Sequence, residues 1–401
     1  MTVLTADQIA RVKATVPVLA EHGTTITKHF YKRMFAHHPE LKNVFNQTHQ
    51  QSGNQPETLA KAVYAYAANI DNLGALGPTV SRIAHKHASL NIRPEQYPIV
   101  GRHLLGAFVD VLGDAVDQET LGAWEVAYGQ LADIFIGAEA KLYEGAAWSG
   151  FRPFKVVRKE VESDEITSFY LTPADGSPAC GFEPGQYLSV KRFVDELGVD
   201  QPRQYSLSDA PNGKWLRISV KREAGCENQA PGHVSNLLHD GVEVGEVVHV
   251  SAPMGDFTLA RKKNTHVVLM SGGVGVTPMT SMLSTLLADH SERSVTFVHA
   301  CRNGRVHAFR QWLNDTVAAH PNVTRAVFYE AIETEDRVGV DYDFEGRLDL
   351  TKITGKVMIP DADYYICGPV PFMRAQCESL TALGVDATRI HTEVFGSGAV
   401  Q

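Results

Sequence analysis

The chain has 401 residues, a formal net charge of −9, 44% hydrophobic and 21% charged residues. That length exceeds one ordinary core and predicts two or three domains. No apolar run approaches the roughly 20 residues a bilayer crossing needs, and the acidic balance excludes wholesale nucleic-acid binding, which requires a basic footprint.

The first residues carry Asp7 in an amphipathic pattern, not the basic start, apolar stretch and small-residue cleavage site of a secretory signal. The five cysteines, Cys180, Cys226, Cys301, Cys367 and Cys377, are widely spaced and contain no Cys-x-x-Cys. Reduced thiols in the cytoplasm are the expectation.

From Thr5 to Tyr143 apolar residues recur at helical spacing: Ile9, Val12, Val16 and Leu19, then Leu59, Val63, Tyr66 and Ile70, then Leu131, Ile134, Phe135, Ala138 and Leu142. Long helices joined by short turns follow, with breakers at Pro39, Gly53-Asn54, Gly74 to Pro78, Arg93-Pro94 and Gly113-Asp114. Pro56 fits only a first helical turn, so one helix should begin near Gly53 or Asn54.

This segment is rich in histidines: His22, His29, His37, His38, His49, His85, His87 and His103. Residues two apart lie about 200° apart on a helix, so His85 and His87 cannot face the same way. His87 falls four after Ile83 and three before Leu90, on the apolar face, and His85 then points away.

Around Ala147 to Pro153 the pattern changes to alternating, β-branched segments such as Phe154 to Val157 and Leu216 to Val220, which predicts a small antiparallel barrel to about Leu259. Within it, Arg203-Gln204-Tyr205-Ser206 offers a guanidinium fork for phosphate, a ring to lie on a flat cofactor and a hydroxyl for a ring nitrogen. Strand alternation puts Arg203 and Tyr205 on one face and Ser206 on the other. Downstream, Gly232-His233-Val234-Ser235 opens an apolar stretch, and Ser235 is placed to cap a helix able to hold pyrophosphate.

From His266 the order becomes apolar strand, glycine turn and helix, predicting a parallel α/β sheet. The turn Gly272-Gly273-Val274-Gly275-Val276-Thr277-Pro278 is not a Rossmann fingerprint, but its glycines allow close approach of backbone to a ligand.

Gly185-Gln186-Tyr187, Arg203 to Ser206, Gly232 to Ser235, the glycine turn, Cys367-Gly368-Pro369 and Glu393-Val394-Phe395-Gly396 occur in this order. Together they resemble the ferredoxin-NADP reductase superfamily across residues 150 to 401. The resemblance implies that Tyr187 and Arg203 to Ser206 bind FAD, with Tyr205 against the isoalloxazine and Val234-Ser235 near its phosphates. It also implies that Gly273 to Pro278 and Cys367-Gly368-Pro369 hold the nicotinamide nucleotide. Phe395 would cover the other flavin face and move for hydride transfer, with Glu393, Val394, Gly396 and Ser397 completing that segment.

Residues 1 to 147 look like a globin, specifically that of the bacterial flavohaemoglobins, and with the reductase the likeness spans essentially the whole chain. It implies haem b on His87 as proximal ligand, Phe45 packed on the macrocycle, Tyr31 as the distal hydroxyl, and Gln55 and Leu59 lining the distal pocket. Tyr97 and Glu139 match the residues behind the proximal imidazole; without the family, Glu139 reads as a solvated helix residue. Lys86 and Glu393 match positions that influence electron transfer, though both also read as plain surface charge.

The implied architecture is an all-α globin domain (1–147), an antiparallel β-barrel FAD domain (150–260) and a parallel-sheet α/β NAD(P)H domain (265–401). The implied activity is nitric oxide dioxygenation: NADH or NADPH reduces FAD, FAD passes single electrons to haem, and nitric oxide with dioxygen becomes nitrate. The substrates are small molecules and the expected state is a cytoplasmic monomer without obligate membrane association. An oxygen-binding or sensing globin with a reductase that keeps iron ferrous stays open, as does a flavin reductase whose helical part only mediates contacts. Arg302 and Arg305 could accept a 2′-phosphate, although the reading leans to NADH. The family's glycine pair after Lys221-Arg222-Glu223 is here Ala224-Gly225, and its proline after Phe395-Gly396 is Ser397.

Overall fold

The computed structural model describes residues 4–226, 230–260 and 264–396. In chain order the regular elements begin with α1 (Ala6–Ala14), α2 (Val16–His37), α3 (Gln47–Gln51), α4 (Asn54–Ala68), α5 (Gly77–Ser89), α6 (Tyr97–Leu112) and α7 (Gln118–Gly145). Next come β1 (Phe151–Val161), β2 (Ile166–Pro173), β3 (Tyr187–Val194), β4 (Val199–Ser206), β5 (Leu216–Lys221), α8 (His233–Gly241) and β6 (Val247–Ser251). The remainder is β7 (Val267–Gly272), α9 (Val276–Ala288), β8 (Val295–Cys301), α10 (Arg310–Ala319), β9 (Val323–Tyr329), β10 (Phe344–Glu345), α11 (Thr354–Val357), β11 (Asp363–Cys367), α12 (Val370–Ala382) and β12 (Ile390–Glu393). Among the described residues no strand precedes Phe151 and no helix is long and apolar enough to cross a membrane.

Two compact units are distinguished: Met1–Arg152 with Ser189–Gln204 and His249–Asp256, and Pro153–Leu188 with Tyr205–Val248 and Phe257–Gln401. In the first, helix starts are set by local chemistry. Thr5 and Gln8 form a reciprocal capping box on α1, and the Asp117 carboxylate accepts from Thr120 N at 2.6 Å to open α7. Gly53 caps α4 at φ 79°, a left-handed conformation that favours glycine, and Pro56 falls in the first turn, where its missing N–H costs nothing.

The helices bury one apolar cluster including Ile26, Phe30, Tyr31, Met34, Tyr66, Phe108 and Trp124, with Phe45 and Leu59 packed against it. A second cluster, Ala84, Tyr97, Ala132 and Phe135, joins α5 to α7, and Tyr128 and Leu131 pack against both. Strands β4-β3-β6 lie side by side in this unit, with Val190 opposite Val250.

In the second unit β1-β2-β5 form antiparallel pairs. A fully parallel sheet follows in the order β10-β9-β8-β7-β11-β12. Its strand order reverses between β7 and β11. In open α/β sheets the crevice at such a reversal, beyond the carboxyl ends of the strands, is where nucleotides bind.

Candidate active site

His87 lies on α5, and its Nδ1 is 2.7 Å from Glu139 Oε1 on α7 and 3.2 Å from the Tyr97 hydroxyl on α6. The Tyr97 hydroxyl donates to the same Glu139 oxygen at 2.6 Å. An ionised carboxylate only accepts, so Nδ1 carries the proton and Nε2 of the neutral ring keeps the lone pair a metal takes. Glu139 is not the solvated residue its sequence context suggests: it is 2% exposed, its Oε1 shared by the imidazole and the phenol and its Oε2 buried without a hydrogen-bond partner. Burial, with help from Glu139, pushes the Tyr97 phenol far above its ordinary value and keeps it a donor. Tyr128, which donates to Tyr97 O at 2.7 Å, fixes the Tyr97 backbone and has no signal in the sequence.

His85 faces away as its helical phase requires, its Nδ1 accepting from Gly255 N at 2.9 Å. Beside it, Lys86 supplies part of the charge that, after burial, lowers His49 to about 4, with Arg203 the other contributor.

Tyr31 is 6% exposed on α2 and belongs to an aromatic group with Phe35 and Phe45, whose ring centroids lie 5.8 and 5.6 Å away. Burial raises its phenol well above the usual range, and the amides of Gln50 and Gln55 pull it partly back. Gln50 Nε2 and Gln55 Oε1 are themselves buried without a hydrogen-bond partner. Buried amide atoms left in this state suit a site built around a polar ligand. A proximal imidazole with its Nε2 lone pair to spare and a neutral phenol among apolar rings fit a haem.

The segment carrying Phe45 is held by Gln201, a fully buried residue that pattern reading missed. Gln201 Oε1 accepts from Gln47 N at 3.0 Å, and its Nε2 donates to Lys42 O and Phe45 O at 3.1 and 3.3 Å. Arg203, two residues on, donates to Pro202 O at 2.7 Å and to Thr48 Oγ1 at 3.4 Å. Gln204 donates to Ser189 Oγ at 3.0 Å.

In the second unit Tyr187 and Tyr205 are partly exposed and Ser206 is 6% exposed. The expected cap of α8 is corrected: the N-cap is Gly232, and Ser235 sits inside the first turn. Its hydroxyl donates to Gly232 O and accepts from Glu223 N, both at 3.2 Å, so it ties the preceding loop to the helix start instead of capping it. Val234 is buried beside it at 1% exposure.

The glycine turn sits at the switch point, running from the end of β7 through Gly273, Val274 and Gly275 into α9, with Val276, Thr277 and Pro278 in the first turn. A Cβ on Gly275 would stand 2.2 Å from Cys367 O and 2.7 Å from Gly368 N. The requirement for glycine therefore comes first from the neighbouring Cys367-Gly368-Pro369 loop, which closes the other side of the crevice. In register, Ser271 of β7, Cys367 of β11 and Glu393 of β12 form one row at the carboxyl edge. Burial raises the Cys367 thiol well above its usual value, so it is an inert wall and not a nucleophile. Val394 packs below this edge, Phe395 is 42% exposed, Gly396 ends the described segment, and Ser397 lies outside the described residues. Arg302 pairs with Glu165, and Arg305 Nε lies 2.9 Å from Asp164 Oδ2, so both arginines expected to meet a 2′-phosphate already hold carboxylates.

The helical core with its backed histidine, followed by sheets carrying flavin and nucleotide motifs, defines a globin joined to a two-part oxidoreductase. Family models agree: a globin matches residues 28–135, an oxidoreductase FAD-binding domain 153–259 and an oxidoreductase NAD-binding domain 269–378. Flavohemoproteins of Bordetella parapertussis and Rhizobium meliloti are 56% and 54% identical, over 99% and 96% of this chain and 100% and 96% of theirs. The chain belongs to the flavohemoproteins. The crystal structure of the Malassezia yamatoensis flavohemoglobin with bound FAD and heme matches with TM-score 0.87 and 29% identity, covering 98% of this chain and 100% of that one. The FAD/NAD-binding domain of the Vibrio cholerae nitric oxide dioxygenase matches 61% of this chain and 98% of its own at 41% identity and TM-score 0.55.

Proposed function

We propose that this flavohemoprotein is a nitric oxide dioxygenase: each nitric oxide takes up one dioxygen and one electron to become nitrate, so the electron pair of one NADH serves two turnovers. The observation that carries the reading is the Tyr97–Glu139–His87 chain. A carboxylate held hard against Nδ1–H makes the opposite nitrogen a stronger donor, which suits turnover of dioxygen better than its storage. The likeness to a domain of a nitric oxide dioxygenase supports the same reading.

On this reading His87 would hold the haem iron, Phe45 would pack on the macrocycle, and Tyr31, Gln50, Gln55 and Leu59 would line the distal pocket. Tyr187, Arg203 to Ser206, Val234 and Ser235 would hold FAD, and Gly273 to Pro278 with Cys367 to Pro369 the nicotinamide nucleotide. When bound, FAD divides a hydride's electron pair for one-electron iron, and haem provides the metal where nitric oxide and dioxygen combine. The chain supplies the rest. Glu139 holds the proton at Nδ1 and so keeps Nε2 basic. Tyr31, neutral at all ordinary pH, donates toward oxygen as it gains negative charge. Glu165 and Asp164 occupy the arginines that would greet a 2′-phosphate, which favours NADH. Residues 1–147, 150–260 and 265–401 are the three working domains of a cytoplasmic monomer acting on small molecules.

The test is nitric oxide consumption by the purified holoenzyme with NADH in air. Nitrate should form in proportion to nitric oxide lost; slow NADH oxidation without nitrate would overturn the reading.

A further inference from the structure

Within the first unit a directional chain of hydrogen bonds joins the flavin motif to the proximal helix. Gln204 Nε2 on β4 donates to Ser189 Oγ on β3 at 3.0 Å, Ser189 donates to Ser89 Oγ at 3.0 Å, and Ser89, the last residue of α5, donates to Lys86 O at 2.8 Å. Both serines are fully buried, at 0% exposure. The Ser189 backbone is pinned as well, its N–H donating to Ser251 Oγ at 2.9 Å. Strand alternation places Gln204 on the face opposite Arg203 and Tyr205, so its amide reaches Ser189 and, through it, α5, while Arg203 meets Thr48 of α3.

A chain of buried hydroxyls is costly unless every member is satisfied, and here each one donates once and accepts once. Only one order of donors fits: the Lys86 carbonyl can only accept, which fixes the Ser89 hydrogen, then that of Ser189, and then commits one N–H of Gln204. The orientation of the Gln204 amide is thereby set by the turn of α5 that carries Lys86 and His87.

We propose that Ser89 and Ser189 are positioning residues for electron passage, holding Gln204 and the Lys86–His87 turn in one register. The proposal rests on the functional reading above. One electron leaves the reduced flavin for each ferric iron made ferrous. The hydride of NADH replaces the pair, and the flavin protons return to solvent. Displacement of a positioning group by about 1 Å can cost up to a hundredfold in rate, so loss of either hydroxyl should slow this step selectively.

The experiment uses the holoenzyme and the variants Ser89→Ala, Ser189→Ala and the double variant. Anaerobic stopped flow with NADH under carbon monoxide follows flavin bleaching and the Soret change separately. FAD content, the melting temperature and the flavin midpoint potential are measured alongside. Each single variant should bleach flavin at the wild-type rate, keep its FAD, melt a few degrees lower because a buried neighbour loses its partner, shift the flavin potential and reduce haem roughly tenfold more slowly. The double variant should be no slower than the worse single, because one broken link breaks the chain. Unchanged haem reduction in both singles would overturn the proposal, as would slowing that follows FAD loss, an unshifted flavin potential, or additive losses in the double variant. A wild type that bleaches flavin but never reduces haem would sink the functional reading instead.

Discussion

Glu139 and His87 are 52 positions apart in the chain, yet the carboxylate oxygen lies 2.7 Å from the imidazole Nδ1, inside a core where only 2% of Glu139 reaches solvent. Everything proposed for the haem side depends on that contact, since it sets both which nitrogen is free and how strongly it donates.

Replacing Glu139 with Gln keeps the shape and removes the negative charge. Haem should be retained, the iron–histidine stretching band in resonance Raman should move to lower frequency, and nitric oxide turnover should fall about 10- to 100-fold. An unshifted band would show that the carboxylate does not tune His87.

Tyr31→Phe deletes one hydroxyl and leaves the ring that contacts Phe35 and Phe45. Hydrogen bonds to charged partners contribute roughly 1.5–3 kcal/mol, so dioxygen should dissociate about 10- to 100-fold faster in flash photolysis, with little change in melting temperature.

At the other end of the electron route, Gly275→Ala places a methyl where the Cys367 carbonyl already stands. Such overlap costs about 1–3 kcal/mol. NADH-driven bleaching of the flavin should slow and KM for NADH should rise, while the haem spectrum stays that of wild type. A normal KM would mean the two loops do not form the nucleotide crevice.

Two stacked histidines, His299 and His307, lie buried with ring centroids 4.8 Å apart, bonded to Ser271 and to the Tyr329 hydroxyl. Burial lowers His299 from 6.5 to about 4 and His307 well below 6.5, with the neighbouring imidazole adding to the effect on His307. Their folded values lie below the unfolded one, so the unfolded chain binds more protons in acid. The stabilisation is complete above pH 6.5 and is lost as pH falls toward 4. Between pH 6.5 and 5, above the carboxylate range, each such histidine contributes a slope approaching 1.4 kcal/mol per pH unit. Denaturant titrations should show that decline, and His299→Asn should flatten it by about one proton's worth.

Much of this was readable from local pattern. Helical phase alone separates His87 from His85, and the turn at Pro56 fixes where α4 begins. The motifs of the parallel sheet could be ordered from sequence because each lies at a strand end. What local pattern cannot show is burial created by distant partners. Glu139 stands between two alanines on a helix and looks solvated, whereas in the fold Tyr97 and His87 both bond its Oε1. Gln201, Ser89 and Ser189 are small or neutral polar residues, each with a partner 100 or more positions away. Ser235 reads as a cap from its residue type, yet it lies in the first turn of α8, where its hydroxyl bonds Gly232 O and Glu223 N.

If the chain joins nitric oxide to dioxygen with an electron from NADH, both atoms of the dioxygen end in the nitrate. Mass spectrometry of nitrate formed from unlabelled nitric oxide under 18O2 tests this most directly. Nitrate carrying two labelled oxygens per molecule is expected. Nitrate with one labelled oxygen or none, or nitrite as the main product, would contradict it.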